Sequence, residues 1–176
     1  MEVDTGTGDL EKGVDQEAFR QALSRLAGGI VVVTASNAAG EPAGATATAV
    51  CSVSLDPPLV LVCLAGESST RQVIADSGRY AINVLGHEHA SRSRRFAGTG
   101  DGKFAGEEWT SGRLGCPLLP GSIAVLECQV EQTIEAGDHT VLIGRVIEAA
   151  AVESDSDLPL IWFRGRYARL SAEDVE

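Results

Sequence analysis

Late in this chain, apolar and polar residues alternate with a period of two over two long segments, a pattern typical of β-strands that bury one face. The longest alternating segments are 122–134 and 139–150, and Gly137-Asp138 between them is a turn signal, so a β-hairpin is predicted there. The alternation slips near Gly144, which predicts a β-bulge. Shorter strands are predicted at 30–36, 43–54, 59–64, 79–85 and 160–163, with a closing segment at 165–170.

Helical spacing of apolar residues is confined to short segments. Short helices are predicted at 16–27, from Ser68 or Ser69 to 75, and at 87–97, where a helical turn is the alternative. The first helix would begin at Asp15 as its N-cap and carry Phe19, Leu23 and Leu26 on one apolar face. Residues 98–121 are Gly-rich without a repeating pattern and are predicted to form a long loop.

Connections between the predicted strands are mostly hairpins, such as the turn at 37–41, and no βαβ alternation is present. The pattern therefore favours a mostly β fold, an antiparallel barrel with short helical insertions, over a doubly wound dinucleotide fold. Residues 1–14 are polar and acidic and are predicted to be a disordered tail. Residues 15–176 form one predicted domain, with an acidic turn at 154–157.

The most unusual stretch is 44–64, GATATAVCSVSLDPPLVLVCL, in which a hydroxyl-bearing run precedes an apolar run. Because strand faces alternate, Thr46, Thr48, Ser52 and Ser54 are predicted to line one face. Hydroxyls on such a face can bind a phosphate or the polar edge of a planar ring. An ordinary exposed strand face explains the same pattern and stays open at this point.

Charge and cysteine content narrow the function classes. The net charge of −11 disfavours nucleic acid and anionic membrane surfaces as partners, and no apolar run approaches the roughly 18 residues of a membrane span. The four cysteines form no CxxC pair, which favours reduced thiols and a cytoplasmic location, although a Cys51–Cys63 disulfide stays open. His87-Glu88-His89 lacks a third ligand at a useful spacing, so no metal site is predicted.

Three further segments are candidates for ligand binding, each with a simpler explanation. Residues 68–71, Ser-Ser-Thr-Arg, fit an anion site at a helix N-terminus or a plain N-cap. The basic cluster at 92–96 fits phosphate binding or solvated surface charge. The turn 137–139 presents a histidine at a strand start, for ligand binding or for structure. The residues alone thus predict a β-barrel with a candidate anion-binding wall.

Taken together and in order, these pieces resemble a known family, the short-chain flavin reductases of two-component monooxygenases with an FMN-binding split barrel. The segments that carry the resemblance are the 44–64 block, SGRYAINVL at 77–85, RFAG at 95–98, GDH at 137–139 and GRY at 165–167. The resemblance implies an antiparallel, Greek-key type split barrel that forms a homodimer and binds FMN or FAD together with NADH or NADPH.

The resemblance also implies roles for individual residues. Thr46, Ala47, Thr48 and Ala49 would run along the isoalloxazine ring. The other implied binding residues are Ser52, Val53, Ser54, Ser69 and Arg71 at the phosphate end, Arg95 and Phe96 near the flavin, His139 for NAD(P)H, and Tyr167 at the mouth. No catalytic side chain is implied, because the cofactors carry out the hydride transfer.

The implied activity is an NAD(P)H:flavin oxidoreductase that transfers hydride from nicotinamide C4 to flavin N5 and supplies reduced flavin to a partner monooxygenase. Two alternatives stay open. One is a reductase with tightly held flavin that acts on another acceptor, and the other is a flavin-binding redox sensor without turnover.

Overall fold

The structure is a computed structural model that describes residues 13–100, 102–152 and 158–170. Residues 1–12 of the predicted tail and the predicted acidic turn at 154–157 lie outside this range. No helix in the described residues is both long and apolar enough to cross a membrane.

The described helices are α1 (Gln16–Leu23), α2 (Ser69–Ser77) and α3 (Ala90–Ala97), with a 3-10 turn at His87–His89 just before α3. The strands are β1 (Gly28–Gly29), β2 (Val31–Ser36), β3 (Pro42–Ala47), β4 (Val50–Leu55), β5 (Pro58–Ala65), β6 (Arg79–Leu85), β7 (Thr110–Ser111), β8 (Pro117–Leu118), β9 (Ser122–Ala136), β10 (His139–Ala151), β11 (Ile161–Phe163) and β12 (Arg166–Ala168). The predicted mostly β class is confirmed, as is the β9–β10 hairpin with a register shift between Ile143 and Gly144.

The main sheet of the described residues has the strand order β3-β2-β6-β9-β10-β5-β4, and every pair in it is antiparallel. Its two edge strands, β3 and β4, are separated in sequence by only Thr48 and Ala49. Because each residue spans at most about 3.6 Å, the two edges must lie close together. The sheet is therefore rolled into a barrel that stays open between β3 and β4, which is a split barrel.

The predicted continuous strand at 43–54 is wrong, because the chain leaves one edge of the sheet after Ala47 and joins the opposite edge at Val50. A second irregularity, between Ser52 and Ser54, shifts the register of β4 against β5. The prediction that the four hydroxyls of this segment share one face fails for the same reason, since parity holds only along an unbroken strand.

The two helices that flank the split pack on opposite faces of β3. Ile74 of α2 is buried in the barrel interior with Val33, Val62 and Tyr80. Phe96 of α3 is buried in a second cluster on the outer face of the sheet. The residues around the split are thus held by two separate apolar clusters.

The long connection after α3 is anchored by polar groups of the sheet, as the described residues 102–121 show. The buried Glu127 carboxylate accepts hydrogen bonds from the backbone N–H groups of Arg113 and Leu114, at 2.8 and 2.7 Å. The buried Asn83 side chain accepts one from Leu119 N–H at 2.8 Å. Phe104 of this connection packs edge-on against Phe96, with 5.0 Å between ring centroids. These contacts fix the loop that borders the split.

Helix α1 begins at the predicted N-cap Asp15, whose carboxylate accepts a hydrogen bond from Ala18 N–H at 2.8 Å. It ends at Leu23 rather than near residue 27, because the following turns are closed by i→i−3 bonds, including Leu26 N–H to Leu23 O at 3.0 Å. Phe19, Leu23 and Leu26 are 54%, 48% and 71% exposed. The predicted apolar face exists, but the described part of the chain does not cover it.

Candidate functional site

A groove of about 610 Å³ opens at the split between the two edges of the barrel. Its walls come from the end of β3, the crossing residues, the end of β5, the start of α2, the end of α3 with the loop after it, and the start of β10. The described lining residues are Ala45, Thr46, Ala47, Thr48, Ala49, Cys63, Leu64, Ala65, Glu67, Ser68, Ser69, Phe96, Ala97, Gly98, Thr99, Gly100, Lys103 and His139.

The crossing residues Thr48 and Ala49 line this groove, and their backbone carbonyl groups are already hydrogen-bonded. Thr48 O accepts from Val50 N–H at 3.1 Å, and Ala49 O accepts from Cys63 N–H at 3.0 Å. In the part of the chain that the structure describes, neither Thr48 nor Ala49 donates its own N–H to a hydrogen bond. These N–H groups are available to a ligand with acceptor atoms along one edge.

The hydroxyl of Thr46 is already in use, since it donates to Ser93 O of α3 at 2.7 Å. This bond ties α3 to the outer face of β3. The Thr46 hydroxyl thus has no hydrogen left to donate to a ligand, although its oxygen can still accept a hydrogen bond. The alanines beside it, Ala45 and Ala47, add small apolar surface to the groove.

The start of α2 contributes Ser68 and Ser69. Ser68 is the N-cap, and its side chain accepts a long 3.5 Å hydrogen bond from Arg71 N–H. Ser69, the first residue of α2, is exposed and faces the groove. The unpaired N–H groups of a first helical turn favour an anionic group near them.

Arg71 does not line the groove. Its Nε donates to Gly66 O at 2.8 Å, and its guanidinium lies 3.9 Å from Glu135 of β9. Gly66 N–H in turn donates to Asp138 O at 2.9 Å. Arg71 therefore braces the loop before α2 against the β9–β10 hairpin.

The predicted phosphate-binding residues Ser52, Val53 and Ser54 also lie outside the described groove lining. They belong to β4, beyond the crossing, where the register shift against β5 changes the direction of the side chains. Val53 is 46% exposed. Of the four hydroxyl residues that sequence parity had joined, only Thr46 and Thr48 are among the described residues that line the groove.

The adjacent residues Arg95 and Phe96 point in different directions. Phe96 is buried and borders the groove. Arg95 turns outward, where its guanidinium lies 3.1 Å from the Glu107 carboxylate and its remaining contact is Ala105 O at 3.5 Å. Only Phe96 of this pair reaches the groove.

His139 borders the groove from the first position of β10, opposite Ala65 in the register with β5. Its Nδ1 lies 2.8 Å from the Asp138 carboxylate. That hydrogen bond lowers the pKa of Asp138 and orients the ring. His139 is half-exposed, with Nε2 as the ring nitrogen left for a ligand.

Tyr167 lies on the far side of α3. Its hydroxyl donates to Ser93 Oγ at 3.1 Å, and its ring packs edge-on against Trp162 with centroids 5.1 Å apart. It is not among the residues that line the groove.

Lys103 lines the groove but was not among the binding residues predicted from the sequence. Its ammonium group donates to Gly44 O of β3 and to Phe96 O of α3, both at 3.2 Å. Partial burial lowers its pKa below the ordinary lysine value. The available signal was a lysine within a Gly-rich segment directly after a helix, in a chain with very few lysines.

A second groove, of about 860 Å³, adjoins the first. Its walls are the apolar face of α1, with Phe19, Leu23 and Leu26, and the exposed ring of Trp162. Thr48 and Ala49 line both grooves. The crossing between the sheet edges is therefore shared by a mixed polar groove and an apolar one.

Comparison with known proteins places these features in a family. The model of the flavin reductase like domain matches residues 23–171. A Rhizobium meliloti protein named "Probable flavin reductase" is 45% identical to this chain over 153 residues. The match covers 87% of this chain and 48% of the Rhizobium protein, so this chain spans about half the length of that relative. The flavin-dependent monooxygenase reductase subunit HsaB of Rhodococcus jostii is 34% identical over 170 residues, or 96% of this chain and 86% of that protein.

A solved structure agrees with these matches. The NADH:FAD oxidoreductase SgcE6 of Streptomyces globisporus C-1027, solved in complex with NAD and FAD fragments, superposes with a TM-score of 0.84 at 31% identity. The alignment covers 94% of this chain and 99% of that one. The family model covers well over half of the chain, and the chain therefore belongs to the flavin reductase-like family.

Proposed function

We propose that this protein is an NAD(P)H:flavin oxidoreductase that reduces FMN or FAD and supplies the reduced flavin to a separate monooxygenase. The observation that carries the proposal is the groove at the split of the barrel, which is lined by His139 together with Thr48 and Ala49, whose N–H groups donate no hydrogen bond within the described residues. The relatives named as a monooxygenase reductase subunit and an NADH:FAD oxidoreductase support it.

The groove fits a flavin in size and chemistry. Its volume of about 610 Å³ lies within the roughly 300–1,000 Å³ of small-molecule sites. The polar edge of the isoalloxazine ring needs N–H donors, which Thr48 and Ala49 supply, while the small side chains of Ala47 and Ala49 leave room for a planar ring beside the strand. When bound, the flavin and the nicotinamide supply the hydride chemistry.

The protein's part in the reaction is binding and orientation. The backbone at Thr48 and Ala49 would hold the ring edge, and Phe96 would close the apolar side of the groove. His139, oriented by Asp138, would position the nicotinamide through Nε2. We propose NADH as the hydride donor, because the relative solved with an NAD fragment is named for NADH.

We also propose a homodimer, in which a second copy covers the apolar face of α1. Phe19, Leu23, Leu26 and Trp162 border one apolar groove and are each more than a third exposed, and contiguous apolar patches of this kind mark interaction surfaces.

All four cysteines are free thiols, so the disulfide left open between Cys51 and Cys63 is absent. Free thiols fit the cytoplasm as the proposed location.

The decisive experiment measures NADH oxidation by the purified protein with and without added FMN or FAD. Oxidation that requires added flavin is the expected result and identifies flavin as a substrate. Turnover by a yellow protein without added flavin would identify tightly held flavin that passes electrons to another acceptor. A bound flavin that neither NADH nor NADPH reduces would contradict the proposed reductase.

A further inference from the structure

The groove at the split of the barrel contains few charged side chains. Among its described lining residues, the acidic and basic side chains are Glu67, Lys103 and His139. Lys103 is the only lysine or arginine among these described residues. FMN and FAD carry phosphate groups, so among the described groove residues Lys103 is the one placed to balance their negative charge.

Nearby arginines are already neutralised. Arg92 and Arg95 both pair with Glu107, at 2.6 and 3.1 Å, and Arg71 lies 3.9 Å from Glu135. Lys103, in contrast, has no carboxylate partner among the described residues, and its recorded contacts are two neutral carbonyl groups. Within the described part of the chain it is a partly desolvated cation without an anionic partner.

The position of Lys103 is fixed by those same two carbonyls. Gly44 O belongs to β3 and Phe96 O to the last turn of α3, so the ammonium group sits where the sheet edge meets the helix. An ammonium group has three donors, and the two carbonyls take two of them. The third is available to a ligand in the groove.

We propose that Lys103 binds the phosphate of the flavin and makes the enzyme select phosphorylated flavins over riboflavin. This inference rests on the proposed flavin reductase function. Lysine recognises phosphate as a point charge, and phosphate is the permanently charged part of both FMN and FAD, whereas the oxidised ring is neutral. The role assigned by resemblance to Arg71 and to the 52–54 segment thereby passes to a residue that lines the groove.

The test compares the binding of FMN and riboflavin to the wild type and to Lys103→Gln, by quenching of flavin fluorescence without NADH. Loss of one charge-assisted hydrogen bond is expected to weaken FMN binding roughly 10- to 100-fold, while riboflavin binding changes little. Lys103→Arg keeps the charge and should retain much of the FMN preference. Arg113→Gln removes an exposed cation that pairs with Glu148 outside the groove and serves as the charge-matched control.

An equal loss of FMN and riboflavin affinity would overturn the proposal, since it would indicate a contact with the ring or a distorted groove. Unchanged affinity for both flavins would overturn it too. Thermal unfolding of each variant, compared with Arg113→Gln, separates a folding defect from a binding defect. NADH oxidation by the wild type with saturating riboflavin tests the reductase function separately, because riboflavin carries no phosphate.

Discussion

His139 is the groove residue whose side chain is best placed for a specific contact. Asp138 holds Nδ1 at 2.8 Å, so the ring has a defined orientation although it is half-exposed. The register of β10 with β5 places it beside Ala65, next to the loop that leads into α2. An oriented imidazole at the edge of a groove suits hydrogen bonding to the amide or ribose of a nicotinamide nucleotide.

We predict that His139→Ala raises KM for NADH about 3- to 10-fold, as expected for the loss of one hydrogen bond, and leaves FMN binding unchanged. Steady-state kinetics with NADH varied, together with FMN titration, measure the two effects. Asp138→Asn should give a smaller increase, since it weakens the orientation of the ring but keeps the imidazole. Unchanged KM in His139→Ala would rule out this role.

Tyr80 offers a residue-scale test of the core. Its hydroxyl is buried in the barrel without a hydrogen-bond partner among the described residues, beside the thiol of Cys128, and burial raises its pKa above the usual value. Because an unsatisfied buried hydroxyl costs free energy, Tyr80→Phe is expected to leave the free energy of unfolding unchanged or to raise it by about 1 kcal/mol.

Urea unfolding of Tyr80→Phe and the wild type checks this expectation. A loss of stability would mean that the hydroxyl has a partner, such as a buried water. Gly144 lies against Tyr80, and a Cβ at position 144 would clash with the Tyr80 hydroxyl and ring. Gly144→Ala should therefore destabilise the wild type more than it destabilises Tyr80→Phe.

Sequence reasoning identified the groove in part. Thr46–Ala49, Ser69, Phe96 and His139 all border one groove, although ligand contact by these residues stays a prediction. Arg71 and Arg95 were assigned through the family resemblance, and a matching position in the sequence does not reveal which carboxylate or carbonyl a side chain reaches. Lys103 was missed because its position depends on the fold of an irregular loop, for which no periodicity exists.

At the scale of elements, the close approach of α3 to β3 forms one wall of the groove. Gly44 makes this approach feasible, because a Cβ at that position would lie 2.7 Å from the Phe96 ring and 3.2 Å from the Phe104 ring. Thr46 and Lys103 then tie β3 to α3 through hydrogen bonds to Ser93 O and Phe96 O. The wall of the groove therefore depends on a residue without a side chain.

We predict that Gly44→Ala destabilises the protein by about 1–3 kcal/mol through overpacking and weakens flavin binding, because α3 must move away from β3. Thermal or urea unfolding and flavin titration measure the two effects. Gly29→Ala is the control, since a Cβ there would meet no atom of the described residues within 4 Å. Wild-type stability and affinity in Gly44→Ala would show that the Phe96 ring moves aside without cost.

Element existence was well predicted where the sequence carries strong periodicity or caps. The β9–β10 hairpin, the bulge at Gly144 and a helix that starts near Ser68 are all confirmed, although α2 extends to Ser77 rather than 75. The break after Ala47 was not predicted, because the alternating small residues continue through it. Only pairing with β2 on one side and β5 on the other ends β3 and starts β4.

At the scale of the whole molecule, the apolar face of α1 and the adjoining groove are left uncovered by the described chain. We predict that Leu23→Glu gives a monomer, because a second copy seated there would bury an unpaired carboxylate. Leu55→Glu is the control, since Leu55 is 96% exposed and outside the groove lining. Sedimentation velocity should show a dimer for the wild type and for Leu55→Glu.

A monomeric wild type would contradict the proposed homodimer, and a dimeric Leu23→Glu would place the interface elsewhere. The apolar stripe of α1 was predicted from sequence, but its exposure was not, since a hydrophobic stripe carries the same pattern whether it packs within the chain or against a second copy.

The crossing at Thr48–Ala49 also has a consequence for local unfolding. These two residues are the covalent link between the open edges of the barrel, and edges are the parts of a sheet that open most readily. A flavin bound across the crossing would close the gap without a covalent bond and would stabilise the closed form by mass action. Amide hydrogen exchange should then slow with added FMN at residues 45–50 and 63–65, while the centre of the β9–β10 hairpin keeps its unliganded rate.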